Sequence, residues 1–170
     1  MQTVRLISRL LFIVTRVAAV GYLLSFLLSA AALGTGWSLN VIENGSRFQV
    51  CYPFTAEPYL LGENNRGYIL GFLMLLGLYT LFFYLVGNVF RVFTHEKLFT
   101  KEGIRHLKIF YSGNLVLPVL AVIVIAPFYP VYNEMKILVV LHALLGVFSY
   151  FISAIFTQGV KLQHEQDLII

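Results

Sequence analysis

Two charge-bearing side chains lie well inside long apolar runs of this sequence: Arg16 in "LFIVTRVAAVGYLLSF" and His142 in "ILVVLHALLGVFSYFISAIF". Ionisable groups in a membrane are costly, and they commonly mark ligand contacts, ion paths or proton relays. Arg16 falls about three turns into a helix that starts near Val4. Its aliphatic stem is long enough to reach the interface, so with Arg5 and Arg9 it is expected to anchor the helix to lipid phosphates. No acidic residue accompanies His142 in any apolar run. A neutral imidazole hydrogen-bonded to a neighbouring helix is therefore expected. A relay needs a chain of such groups, and only one is present.

No other arrangement of reactive residues stands out. The sequence holds no H-E-x-x-H, G-x-S-x-G, C-x-x-C or phosphate-cradling glycine loop. His95, His106 and His164 occur near Glu96, Glu102, Glu165 and Asp167, but no pair has ligand spacing on a defined helix face. No catalytic residue, metal site or cofactor is expected, and an enzyme reading has no positive support. Cys51 is the only cysteine, which excludes an intrachain disulfide and two-cysteine redox chemistry.

The elements that position these residues follow from composition. Hydrophobic residues make up 59% of the 170 residues and charged residues 12%, about half the charged share of a soluble domain. Mean hydropathy is +0.82. Four segments have the roughly 20 apolar residues that a span needs: about 10–33, 68–90, 107–126 and 137–156. Backbone groups in lipid must bond internally, so each is expected to be helical. Nine basic residues lie on the side of the termini and the middle loop, against three on the other. The positive-inside rule then puts both termini in the cytoplasm of an inner membrane. A cleaved signal peptide fits less well, because the apolar stretch from Val17 to Leu33 exceeds the usual core of about 7–15 residues. Pro118 should kink the third span, and Asn88, Ser112, Asn114, Ser149 and Ser153 can hydrogen-bond between helices.

Residues 34–67 are too many for a bare connection. "WSLNVIENGSRFQVCY" alternates about Asn44-Gly45, a two-residue hairpin signal that overlaps a glycosylation sequon. Folding there sets Val41 against Phe48, Leu39 against Val50 and Trp37 against Tyr52, with Cys51 on the polar face. An extracytoplasmic hairpin over about 37–52 is expected, acting as a lid or a small sensing cap. Gly67 and Gly71 form a G-x-x-x-G that permits close helix contact, within or between chains.

On the cytoplasmic side, "RVFTHEKLFTKEGIRHLKIF" reads as a basic elbow over 91–106. Thr100 caps the next helix, and Glu102 suits its first turn. The tail over 157–170 carries Lys161 and Glu165 at i, i+4, then Asp167. Its acids could pair with Arg91, Arg105 or Lys108. Leu168, Ile169 and Ile170 need an apolar home, on the bundle or on a partner.

"LFTKEGIRHLK" followed far downstream by "GVKLQHEQDLII" resembles an uncharacterised family of bacterial four-span membrane proteins. That family carries a phenylalanine–threonine elbow and a G-x-x-L-Q-x-E-x-D-L-x-I tail. The match falls on Phe99, Thr100, Arg105 and Leu107, and on Gly159, Leu162, Gln163, Glu165, Asp167, Leu168 and Ile170. Gly103 departs from the pattern, where an asparagine is expected, and this implies a looser cap. The resemblance implies a regulatory or accessory protein without enzymatic activity. It also implies a neighbouring helix-turn-helix DNA-binding protein as partner, contacted through these residues and Lys108.

The expected fold is thus an all-α membrane protein, one domain of four transmembrane helices with a small extracytoplasmic β-hairpin between the first and second. The expected function is regulation through a cytoplasmic partner, with lipid as the surrounding medium and no direct contact with nucleic acid. The alternatives are a small transporter or channel component, or a structural subunit that assembles with itself or with another membrane protein through the Gly67–Gly71 face.

Overall fold

A computed structural model describes residues 2–95 and 97–167. Four helices are long and apolar enough to cross a membrane: α1 (Gln2–Thr35), α2 (Arg66–Val92), α3 (Lys101–Ile125) and α4 (Asn133–Asp167). Strands β1 (Leu39–Ile42), β2 (Arg47–Cys51) and β3 (Pro58–Glu63) lie between α1 and α2. They form one antiparallel sheet in the order β1-β2-β3.

Local chemistry sets the helix ends. Gly36, at φ 77°, turns the chain out of α1 and donates its N–H to the Ala32 carbonyl at 2.9 Å. Asn65 Oδ1 accepts from Gly67 N at 2.8 Å to open α2. Thr100 Oγ1 accepts from Gly103 N at 3.0 Å to open α3.

The expected hairpin is present in its expected register, with Leu39 opposite Val50 and Val41 opposite Phe48. Three details differ. The strands pair up to Ile42 and Arg47, so the turn holds the four residues 43–46, with Glu43, Asn44 and Gly45 all at positive φ. A third strand joins β2; Pro58 and Gly62 disguise it in the sequence. A register shift between Val50 and Cys51 turns Cys51 inward to 2% exposure, while Val41 is 55% exposed. Trp37 and Tyr52 do not pair. Trp37 packs edge-on against Phe54, and Tyr52 lies against Tyr59.

The sheet rests on the adjoining ends of α1 and α2. Phe48 and Val50 are buried with Ala32, among Leu28, Leu60, Tyr68 and Phe72. The hydroxyls of Ser25 and Tyr59 are hydrogen-bonded, tying α1 to β3.

Small side chains let the helices approach. On α1, Ser8, Thr15, Ala19, Ser25, Ser29 and Ala32 are buried, whereas Leu6, Leu10, Val17 and Leu24 are exposed to lipid. α1 packs on α2, α2 on α3, and α3 on α4. The arrangement is open, with no extensive contact between α1 and α4 among the described residues. Gly67 and Gly71 face the α3–α4 connection: Gly67 lies against the Phe128 carbonyl and Gly71 against Ile125. This small-residue face makes contacts inside the chain.

Candidate functional site

Arg16 is not free to reach lipid phosphates. Its guanidinium hydrogen-bonds Asn88 Oδ1, donates to the Tyr84 carbonyl at 3.3 Å, and lies 4.2 Å from the centre of the Tyr84 ring. The Phe12 ring lies beneath it at 5.0 Å. Gly87 makes room, since a Cβ there would meet Thr15 Oγ1 at 2.9 Å. Arg16 is therefore a tie between α1 and α2. Asn88→Leu would strip the charge of its side-chain acceptor. The expected cost is about 1.5–3 kcal/mol, the range for a hydrogen bond to a charged group. Adding Arg16→Met should recover most of it, because an apolar pair needs no acceptor. Thermal unfolding in detergent checks both; equal stability of wild type and Asn88→Leu would exclude the tie.

His142 has a partner on α3. Asn114 Nδ2 donates to the Phe110 carbonyl at 2.8 Å, which fixes the amide so that Oδ1 faces His142 Nδ1 at 2.7 Å. The imidazole also meets Phe82 edge-on, with ring centres 5.1 Å apart, and Tyr79 at 6.1 Å. This cluster joins α2, α3 and α4. Of the five amides and hydroxyls suggested for interhelical hydrogen bonds, Asn88 and Asn114 bond across helices, each through Oδ1. Ser149 bonds the Leu145 carbonyl of its own helix, and Ser112 is exposed.

His142 and Asn114 line a half-open cavity of about 310 Å³ between α2, α3 and α4. Its wall is almost entirely apolar and aromatic, and it includes Phe72, Tyr79, Phe82 and Pro118. Tyr68 and Tyr129 stand at the sheet end. There the Tyr129 hydroxyl donates to Glu63 at 3.0 Å. Desolvation, with hydrogen bonds to Glu63 and Tyr132, raises its pKa well above the ordinary tyrosine range, so it remains a donor. Composition gives no sign of this cavity, because it depends on how far apart the helices stand.

At the other end, the elbow sits on a buried cluster. Val92, Leu107 and Phe156 form it, surrounded by Val89, Phe93, Phe99, Ile104 and Ile152. Phe99 and Phe93 meet Phe156 edge-on at 5.2 and 5.6 Å. The Phe99 ring covers Gly159, where any Cβ would lie 2.5 Å from it. Gly103 is equally confined, as a Cβ there would meet Val92 Cγ1 at 2.8 Å. The Thr100 cap is closed, and the looser cap expected from Gly103 is not found.

The sequence-derived contact residues thus divide into two groups. Phe99, Thr100, Leu107 and Gly159 are internal, with Leu107 only 1% exposed; they build the seat and offer little surface. Arg105, Lys108, Leu162, Gln163 and Glu165 are exposed. α4 continues as a helix through Leu162, Gln163 and Glu165, and Glu165 makes no ion pair with Arg91, Arg105 or Lys108 among the described residues. Asp167 ends α4, and Leu168 and Ile170 lie outside the described residues. His106 lies 3.5 Å from Glu102, and both line a small crevice with His95 and Arg91, while His164 is exposed on α4. Glu96 is also outside the described residues.

No curated protein and no solved structure matches the chain. One family does, under the description "Protein of unknown function", and its match runs through both the cavity and the elbow. Over its full length, residues 1–170, the chain belongs to this DUF2975 family.

Proposed function

We propose that this membrane protein is a regulator that acts through a soluble partner docked on its elbow and on the last turns of α4. The observation that carries the reading is the course of α4. It has 35 residues, about 52 Å of helix, against a hydrocarbon thickness of about 30 Å. The excess emerges beside the elbow as an arm with Leu162 60% exposed. The exposed Arg91, Lys97, Lys101, Arg105 and Lys108 lie at the end of α2, on the elbow and on the first turns of α3.

An apolar side chain on a helical arm beside a basic rim suits a partner that offers an apolar groove edged by acids. By the positive-inside rule this end faces the cytoplasm. A small helix-turn-helix regulator, held there away from DNA, is the partner the sequence resemblance suggests. The cluster under the elbow links α2, α3 and α4, so a change in their packing reaches the docking face directly.

The test compares the full chain with one stopped after Gly159, by crosslinking in native membranes. The full chain should capture a DNA-binding protein, and the shortened chain should lose at least about nine-tenths of that capture, as expected when a central apolar anchor goes. Equal capture by both forms would refute docking on the arm.

A further inference from the structure

The cavity between α2, α3 and α4 is more than a gap in packing. At about 310 Å³ it is within the size range of small-molecule sites, roughly 300–1,000 Å³. Along α2 it reaches from Tyr68 to Leu85, about 25 Å of helix. A water-filled channel needs a polar wall, and this wall is apolar except at the His142–Asn114 pair and the tyrosines at the sheet end.

The hydrogen bonds at the pair decide what the cavity can recognise. Asn114 Nδ2 donates one of its two hydrogens to the Phe110 carbonyl, and its Oδ1, which faces His142, can only accept. His142 Nδ1 must then be the donor, and a neutral ring keeps the lone pair on Nε2. Nε2 makes no hydrogen bond among the described residues, and His142 lines the cavity. Pro118, also in the wall, has no N–H to give the Asn114 main-chain carbonyl four residues before it. Two acceptors, His142 Nε2 and the Asn114 main-chain carbonyl, therefore stand here beside the second Nδ2 hydrogen of Asn114. Beside them are the rings of Tyr79 and Phe82.

We infer that this cavity binds an uncharged, membrane-soluble molecule with a hydroxyl on an aromatic-sized ring, such as an alkylphenol or a quinol headgroup. The hydroxyl donates to His142 Nε2, the ring lies among Tyr79 and Phe82, and an apolar chain runs toward Tyr68. A cation finds no counter-charge there, and neither does an anion, because the wall carries no Lys, Arg, Asp or Glu. That such a ligand would alter docking at the elbow rests on the regulatory reading above; its binding does not.

The test uses the full chain in phosphatidylcholine nanodiscs and two photoreactive probes, an alkylphenol and the alkylbenzene that lacks only the hydroxyl. Labelled peptides are read by mass spectrometry. The phenol should label α2, α3 and α4 at cavity-lining residues, and unlabelled alkylphenol should compete. The alkylbenzene should label about tenfold less at equal concentration, the value of one good hydrogen bond. His142→Phe keeps a ring but loses the acceptor, and it should bring the phenol down to the alkylbenzene level. Ala121→Phe puts bulk into the cavity and should abolish both signals. Equal labelling by the two probes, or labelling that unlabelled alkylphenol does not displace, would overturn the proposal, and the wild-type comparison reads this even if a variant folds poorly. No partner protein is present in this experiment, so its failure and a failure of docking are separate results.

Discussion

Gly67→Ala is expected to destabilise the protein by about 3 kcal/mol, the upper end of the overpacking range. The added Cβ would overlap the carbonyl oxygen of Phe128 and lie 3.0 Å from Tyr129 Cβ. Neither obstacle is the movable end of a side chain, so the connection 126–132 would have to shift as backbone. That connection carries Tyr129, which bonds Glu63 and packs edge-on against Tyr68 at 5.7 Å. The same change would therefore loosen the sheet and open one end of the cavity. Gly71→Ala is the control. Its Cβ would meet Ile125 Cδ1 at 3.5 Å, an ordinary contact, and alanine is the better helix former by about 1 kcal/mol. Thermal unfolding in detergent should separate the two variants by many degrees. If Gly67→Ala unfolds with the wild type, the close approach of α2 to the α3–α4 connection is wrong.

Gly159→Val should cost about 2–3 kcal/mol and should act at the elbow. Its Cβ would lie 2.5 Å from both Cγ and Cδ1 of Phe99. Cγ moves only with rotation about Cα–Cβ, so relief swings the whole Phe99 ring out of its place on Gly159. Phe99 would then leave Phe156, opening the cluster that holds Val92 and Leu107. Faster proteolysis within 93–100 in intact membranes is the expected signature. Phe99→Leu in the same chain removes the obstructing ring and should recover part of the loss, a coupling that independent sites do not display. An unchanged digestion pattern in Gly159→Val would contradict the seat.

How much of this was legible in the sequence follows from the range of each interaction. Runs of apolar residues gave the four helices, since span length is a local property. The alternation around Asn44-Gly45 gave the β1–β2 register for the same reason. β3 escaped because its pairing with β2 is set by tertiary contact, and because Pro58 and Gly62 weaken its pattern. Thr100 reads as a cap from its type and position alone. Arg16 was read as a lipid anchor because nothing local reveals Asn88 and Tyr84 across the α1–α2 seam. His142 was legible as a neutral hydrogen-bonding histidine, but Asn114 as its partner was not, nor the cavity beside them. Leu107 and Gly159 belong to the motif that carries the resemblance, and the burial of Leu107 and the packing of Phe99 on Gly159 give these two residues a structural role independent of any partner.

The regulatory account turns on what the arm of α4 touches. A photo-crosslinking amino acid placed at Leu162, in the full chain and in native membranes, reports that contact directly. The account predicts capture of a soluble DNA-binding protein, lost when Arg105 and Lys108 are both changed to glutamate. Crosslinks that return only to this chain's own elbow, or only to lipid, would contradict it, and the arm would then be part of the membrane domain's own packing.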